Sequence, residues 1–173
     1  MPTIGVSIAV PEPWGPELQS FRVGVGDESG RRIPSHITLL PPYDVVDCEL
    51  DAVVGHLETV ADRTPAFRVH LRGTGTFRPV SPVVFVNVVE GISQCEQLAA
   101  DVRSGPLVVE TAFPYHPHVT VAQDLPEGSL EQAFVELERY DATFAVERFW
   151  LYVHNLKTGW QPARSFPLVP QAG

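Results

Sequence analysis

The chain contains the stretches IPSHITLL at residues 33–40 and PHVTVA at residues 117–122, each built on the pattern His-x-Thr. Successive side chains of a β-strand point to opposite faces, so residues i and i+2 share a face. In each stretch the histidine and threonine therefore share one face, and the apolar residues occupy the other. These polar pairs are His36 with Thr38 and His118 with Thr120. We predict two half-buried strands, each with one polar face.

The composition is that of an ordinary globular protein. The chain has 173 residues, of which 44% are hydrophobic, enough for one domain or two small lobes that share a core. Two cysteines, Cys48 and Cys95, are too few for a disulfide framework, so a reduced, cytoplasmic setting is expected. The first ten residues lack a basic side chain, and their apolar run is too short for a secretory signal or a spanning helix. We expect a first strand there and no membrane partner.

The net charge of −9 limits the possible ligands. Proteins that track a nucleic-acid backbone use Lys and Arg to displace counterions, so a long nucleic-acid groove and DNA binding are not expected. A small phosphorylated nucleotide or an RNA end remains possible. Positive charge does occur locally, at Arg31 and Arg32 before the first motif and at Arg68, Arg72 and Arg78 around a later strand.

Apolar periodicity predicts the same order of elements twice: strand, helix, His-x-Thr strand, helix, strand. Around the first motif we predict a strand at 3–10, a weak helix near 16–23, a helix at about 49–63 capped by Asp47, and a strand at 67–77. Around the second we predict a strand at 83–89, a helix with the apolar stripe of 92–102, a helix opened by a capping box at 129–132, and a strand at 143–153. A short strand near 164–169 ends the chain.

The two motifs lie 82 positions apart, about half the chain, which indicates a duplication. We predict a single domain over residues 1–173, with lobe-forming repeats at approximately 1–78 and 79–173. An approximate twofold axis would bring the two His-x-Thr strands together across one cleft. Both histidines would then face a single ligand.

Two histidines and two hydroxyls are suited to phosphate-ester chemistry. Histidine, with an ordinary pKa near 6.5, serves as general base or general acid near neutral pH. A base and an acid on opposite sides of phosphorus allow in-line attack, and threonine hydroxyls can donate to the oxygens on which charge builds. No metal or cofactor is required for this chemistry.

In these motifs the sequence resembles the two-histidine (2H) phosphoesterase superfamily, in its 2′-5′ RNA ligase or cyclic nucleotide phosphodiesterase branch. The resemblance is carried by 36–39, by the run from Phe113 to Ala122, and by a tail at 149–153 and 165–168 that is similar to the family's closing strand pair. It implies an α+β fold, bilobal, with duplicated β-α-β-α-β units, mostly antiparallel sheets around a central cleft, and helices outside.

The resemblance also implies an activity: opening of 2′,3′-cyclic or related cyclic phosphates on nucleotides or RNA ends, possible 2′-5′ RNA ligation, and no cofactor. It assigns catalysis to His36 and His118 and phosphate contacts to Thr38 and Thr120. Which histidine is the base stays open. No obligate protein partner is expected, and a monomer is predicted.

Two departures from the family pattern concern the substrate. The RNA-ligase branch often has a basic residue directly after the second motif, where this chain has Gln123, and its first motif often continues as Phe-Leu-Gly, where this chain has residues 40–43, LPPY. The missing positive charge and the net charge both argue against RNA as the natural substrate.

The sequence leaves two alternatives open. His116 and His118 form a His-x-His pair that can chelate zinc, but Pro117 and the lack of a nearby acidic or cysteine ligand argue against a metal site. The second alternative is a non-catalytic nucleotide- or phosphate-binding module of the same fold. Four aromatic residues are expected near the cleft, where one or two could stack on a base: Tyr43, Phe77, Tyr115 and Trp160.

Overall fold

The structure, a computed structural model, describes residues 1–171. These residues form eight strands and four α-helices. The strands are β1 (Thr3–Ala9), β2 (His36–Asp44), β3 (Phe67–Thr76), β4 (Val83–Glu90), β5 (His118–Gln123), β6 (Asp141–Val146), β7 (Arg148–Asn155) and β8 (Gly159–Pro167). The helices are α1 (Trp14–Gly24), α2 (Leu50–Asp62), α3 (Ile92–Val102) and α4 (Glu127–Glu136).

The strands form two four-stranded sheets, in the orders β2-β1-β7-β8 and β5-β4-β3-β6. Every neighbouring pair within them is antiparallel. Each His-x-Thr strand is thus an edge strand of its own sheet, and the two edge strands contact each other. The predicted α+β class with mostly antiparallel sheets is confirmed.

The predicted repeats meet at about residue 78. The two sheets do not divide the chain there, because each contains strands from both repeats. Strand β3, from the first repeat, pairs with β4 and β6 of the second sheet. Strands β7 and β8, from the second repeat, extend the first sheet next to β1. The repeats therefore exchange strands, because each sheet is completed by the end of the other half.

The prediction of a single strand at 143–153 is also wrong, because the second repeat contributes strands to both sheets. Strands β6 and β7 are separate and belong to different sheets, and Glu147 lies between them. Buried and exposed residues alternate through Val146, but Glu147 and Arg148 are both exposed and Phe149 is buried. Two consecutive charged residues break the period of two, and the chain crosses to the other sheet there.

The helices follow the predicted apolar stripes, but their starts differ. In α2 the buried residues are Val53, Leu57, Val60 and Ala61, the spacing of an amphipathic helix. Asp47 lies in a short 3-10 turn before α2 and does not cap it. The predicted capping box at 129–132 is also wrong: α4 begins at Glu127, so Ser129 already lies in the first turn and the N-cap is Pro126.

Within residues 1–171, no helix combines the length and apolar character needed to cross a membrane.

The largest fully buried side chains come from both sheets and from three of the helices; they include Ile4, Leu39, Leu71, Leu98 and Phe149. One continuous core therefore supports both edge strands.

Candidate active site

The polar faces of β2 and β5 meet where the two sheets contact each other. Along β2, His36 and Thr38 are half-buried, whereas Ile37 and Leu39 between and after them are fully buried. Along β5, the pair formed by His118 and Thr120 alternates with buried residues in the same way. The alternation predicted from the sequence is confirmed in both strands.

Two adjoining cavities open over these strands. The first, of about 220 Å³, is lined by His36, and we call it the His36 cavity. The second, of about 840 Å³, is lined by His118, and we call it the His118 cavity. Thr38 and Thr120 line both. The structure therefore brings all four predicted site residues to two adjoining cavities, and the two threonines line both.

The two imidazoles are held in the same way. His36 Nδ1 lies 2.7 Å from the carbonyl oxygen of Pro34, and His118 Nδ1 lies 2.7 Å from that of His116. A carbonyl oxygen only accepts hydrogen bonds, so Nδ1 carries the proton in both rings. In the neutral form, Nε2 of each ring is then unprotonated and free to accept a proton. The residue two positions before each histidine thus fixes its tautomer.

Burial lowers the pKa of both histidines below the ordinary 6.5. The pKa of His118 falls to about 4, mainly through burial; its bond to the His116 carbonyl opposes the fall, and the charges of His116 and His36 add to it. The pKa of His36 is lowered by burial and by the charge of Arg22, against the bond to the Pro34 carbonyl. At pH 7 these lowered pKa values favour the neutral form of each ring over the charged form in the ligand-free protein.

Aromatic side chains surround His118. The ring centroids of Phe77 and Phe85 each lie 5.0 Å from that of His118. Phe85 is able to lie there because residue 75 is glycine: a Cβ at Gly75 would stand 2.5 Å from the Phe85 ring. This apolar surrounding accounts for much of the burial that lowers the His118 pKa.

Two side chains from outside the sheets, those of Tyr115 and Arg103, hold the backbone of β2. The Tyr115 hydroxyl donates to the carbonyl oxygen of Thr38 at 2.7 Å, and Arg103 Nε donates to that of Leu39 at 2.6 Å. The Arg103 guanidinium also lies over the Tyr115 ring, 5.1 Å from its centroid. These two bonds hold the backbone of the edge strand β2 at Thr38 and Leu39.

A buried ion pair lies beside the His36 cavity. Arg22 on α1 is 6% exposed and lines this cavity. Its Nε donates to Asp27 Oδ2 at 2.7 Å. The same carboxylate oxygen accepts the backbone N–H of Gln123, at the end of β5, at 3.1 Å. The pair therefore links α1 of the first repeat to the second His-x-Thr strand.

Three of the four aromatic residues expected near the cleft line it. Phe77 and Tyr115 line the His118 cavity, and Trp160 lines the His36 cavity. Tyr43 instead packs against the hydrophobic core. The ring centroid of His116, the other member of the His-x-His pair, lies 5.8 Å from that of His118. No group of three His, Cys, Asp or Glu side chains suited to a metal occurs among residues 1–171.

The cations of the cleft are not those that the sequence singled out. Arg31 pairs with Glu28, Arg72 with Asp141, and Arg78 with Glu127 and Glu131. The cleft is lined by Arg22 and Arg103 instead. One signal for Arg22 was available, because it lies one helical turn after buried Leu18, on the inward face of α1. Nothing in the local pattern around Arg103 indicated its contacts.

Comparison with known proteins agrees with this description. A family model described as the 2′-5′ RNA ligase superfamily matches residues 10–158. A Bacillus mycoides (strain KBAB4) relative with a provisional phosphoesterase name is 30% identical over 139 residues, 79% of this chain and 80% of the relative.

Solved structures share the fold. TT0787 of Thermus thermophilus superposes with a TM-score of 0.71 at 24% identity, over 99% of this chain and 100% of that chain. E. coli LigT in complex with NADP+ superposes with a TM-score of 0.71 at 20% identity, over 97% and 98%. LigT has also been solved with 3′-AMP and with ATP. The matches confirm the resemblance carried by the two motifs: the chain belongs to the 2′-5′ RNA ligase superfamily, the two-histidine phosphoesterases, and has the phosphoesterase or ligase type of function of that family.

Proposed function

We propose that this protein opens 2′,3′-cyclic or related cyclic phosphates of nucleotides or RNA ends, with His36 and His118 as general acid and base. The observation that carries this proposal is the matched pair of imidazoles, each with Nδ1–H bonded to a backbone carbonyl and Nε2 left free. Acid–base catalysis at phosphorus needs one proton acceptor and one proton donor in a single cleft. Two equivalent Nε2 atoms supply both roles.

In the proposed reaction, Nε2 of one neutral histidine takes a proton from water while the water oxygen forms a bond to phosphorus. The bond from phosphorus to O2′ or O3′ breaks, and the protonated second histidine gives its proton to the departing oxygen. The product is a phosphate monoester with a free neighbouring hydroxyl. The pair ends with its proton on the other ring, and exchange with solvent restores the starting state.

The two threonines have the stabilising role in this proposal. Negative charge builds on the non-bridging oxygens of the phosphate as water attacks, and preoriented hydroxyl donors stabilise that charge. Thr38 and Thr120 line both the His36 cavity and the His118 cavity, so in this proposal their hydroxyls donate to a phosphate bound there.

Aromatic side chains of the cleft would hold the nucleoside part. Trp160 and Tyr152 line the His36 cavity, and Phe77 lines the His118 cavity. Nucleobases stack on such rings with little dependence on base identity. E. coli LigT, which shares the fold, forms complexes with 3′-AMP, ATP and NADP+, and we extend nucleotide binding to this chain.

The direct test is a substrate panel. We expect the protein to convert at least one 2′,3′-cyclic nucleotide, ADP-ribose cyclic phosphate or cyclic-phosphate-ended RNA to a monoester in the presence of EDTA, with products assigned by mass and by isomer. Full inhibition by the chelator would contradict the proposed chemistry. Binding of a cyclic nucleotide without product at any pH between about 5 and 8, where histidine pairs titrate, would identify a non-catalytic binding module instead.

The lowered pKa values predict the pH dependence. In the active form of the ligand-free enzyme, one histidine of the pair is neutral and the other is protonated on Nε2 as well as on Nδ1. Because both pKa values lie below 6.5, the singly protonated fraction falls about tenfold per pH unit above that value. We expect kcat/KM to fall about tenfold from pH 7 to pH 8. The corresponding fall in kcat should begin at higher pH, because the negative charge of the bound phosphate raises the pKa of both histidines. Initial rates across this range measure both limbs; a kcat/KM that is level or rises from pH 7 to 8 would contradict the assignment.

A further inference from the structure

The Arg22–Asp27 pair has a geometry that structural support alone does not explain. Arg22 Nε bonds Asp27, and Nη2 donates to the Ser29 hydroxyl at 3.3 Å. Nη1 has no hydrogen-bond partner among residues 1–171. Among the same residues, the Tyr140 hydroxyl is the only side-chain polar atom that is both buried and unpaired. Nη1 is therefore not sealed from solvent. The guanidinium of a side chain that is 6% exposed and lines the His36 cavity therefore keeps open N–H donors.

The position of this guanidinium relates it to both motifs. Asp27 holds Arg22 through Oδ2 and accepts the Gln123 backbone N–H with the same atom. Arg22 is also close enough to His36 for its charge to affect that ring. Arg22, His36 and Gln123 thus line the same cavity, and Asp27 joins Arg22 to the Gln123 backbone.

Gln123 follows the run PHVTVA, at the position where the resemblance described above implies a basic residue in the RNA-ligase branch. Gln123 and Arg22 line the same cavity. We propose that Arg22, oriented by Asp27, is the cation that binds the phosphate of the substrate in the His36 cavity, in place of a basic residue after the second motif. This inference rests on the proposed function, because it names a binding residue for the same phosphate.

The chemistry of the pair suits a cyclic phosphodiester. Arginine donates in a fixed fork that matches phosphate oxygens, and hydrogen bonds from a charged donor are stronger than neutral ones. Asp27 balances the charge of Arg22, so the bare cavity has no large excess of positive charge. A cyclic phosphodiester, with one negative charge, fits such a site better than a long polyanion does. Arg22 therefore supplies local phosphate binding in a chain whose net charge is −9.

The test replaces the ion pair by a neutral pair and then relocates the cation. In the double variant Arg22→Gln/Asp27→Asn, two amides keep hydrogen bonding possible without charge. We expect Kd for 3′-AMP, measured by calorimetry, to rise about 10- to 100-fold, the range for loss of a charge-assisted hydrogen bond. Adding Gln123→Arg to the double variant places a cation in the same cavity and should recover most of the lost affinity. Arg31→Gln, at an exposed arginine paired with Glu28, is the matched control and should bind as the wild type does.

Each outcome bears on the proposal. A folded double variant that binds 3′-AMP as tightly as the wild type would overturn it, and so would a loss of affinity that Gln123→Arg does not restore. If the double variant does not fold, the side-chain ¹⁵N resonances of Arg22 in the wild type give the answer: they shift when 3′-AMP is added if the proposal is right and stay in place if it is wrong. These experiments measure binding and do not depend on turnover. A wild-type protein that binds 3′-AMP but has no turnover would therefore contradict the proposed reaction without contradicting the role of Arg22 in phosphate binding.

Discussion

Replacing either histidine of the pair by alanine should nearly abolish the opening of a cyclic phosphate. We expect His36→Ala and His118→Ala each to lower kcat/KM about 10²- to 10⁴-fold, the usual contribution of a positioned general acid or base. The reason is that a single remaining imidazole cannot accept one proton and donate another across the same phosphate. The double variant should lose little more than either single variant, because residues that act as one unit are not additive.

Initial rates with the best substrate of the panel measure these losses. His70→Ala is the matched control: His70 bonds Asp141 at 2.9 Å between β3 and β6, the two strands of the second sheet farthest from β5. This variant should keep the wild-type rate. Turnover that persists in His36→Ala or in His118→Ala would contradict the two-histidine mechanism, and strictly additive losses in the double variant would indicate that the two rings act independently.

The local part of the site could be predicted from the sequence because it depends on periods that the chain itself carries. Alternation along β2 and β5 places His36 with Thr38 and His118 with Thr120, and the buried partners of each pair are apolar in the sequence. The stripes of α2 and α3 are equally local. Such patterns survive folding because they reflect the geometry of one strand or one helix.

The parts that were wrong or missed depend on contacts between distant segments. Strand exchange between the repeats is decided by which edges pair, and only the two charged residues at 147–148 marked the crossing. The tautomers of His36 and His118 depend on backbone carbonyls whose direction no side-chain pattern encodes. The contacts of Arg103 with Leu39 join residues 64 positions apart, so no local window contains both.

The exchange between repeats also explains where the missed arginines act. Helix α1, from the first repeat, contacts β5, and α3, from the second repeat, contacts β2. Arg103, just after α3, therefore bonds the His-x-Thr strand of the other half directly, whereas Arg22, near the end of α1, is joined to it through Asp27. The duplication produces two arginines in comparable places, but their partners differ: Asp27 holds the first, whereas Tyr115 and a backbone carbonyl hold the second.

The same asymmetry sets different environments for the two threonines. Across the strand from Thr38 lies Ser7, which also lines the His36 cavity. Across from Thr120 lies Phe85, which packs against His118 and has no hydroxyl. If the threonine hydroxyls stabilise charge on the phosphate oxygens, a second hydroxyl is available beside Thr38 but not across the strand from Thr120.

We therefore expect unequal losses when each threonine is replaced by valine, which keeps its shape. Thr120→Val should lower kcat about 10²-fold or more, the lower end of the range for removing one preoriented donor at a site of developing charge. Thr38→Val should cost clearly less, because the Ser7 hydroxyl can partly replace the lost donor. Adding Ser7→Ala to Thr38→Val should bring the loss to the level of Thr120→Val.

Single-turnover rates with a 2′,3′-cyclic nucleotide separate this effect on chemistry from effects on binding. Thr38→Ser and Thr120→Ser keep the hydroxyl and are the matched controls, and both should retain most of the wild-type rate. Equal losses in the two valine variants, together with no further loss on adding Ser7→Ala, would show that Ser7 has no part in the site. Serine variants as slow as the valine variants would show that the methyl group, and hence packing, accounts for the threonines.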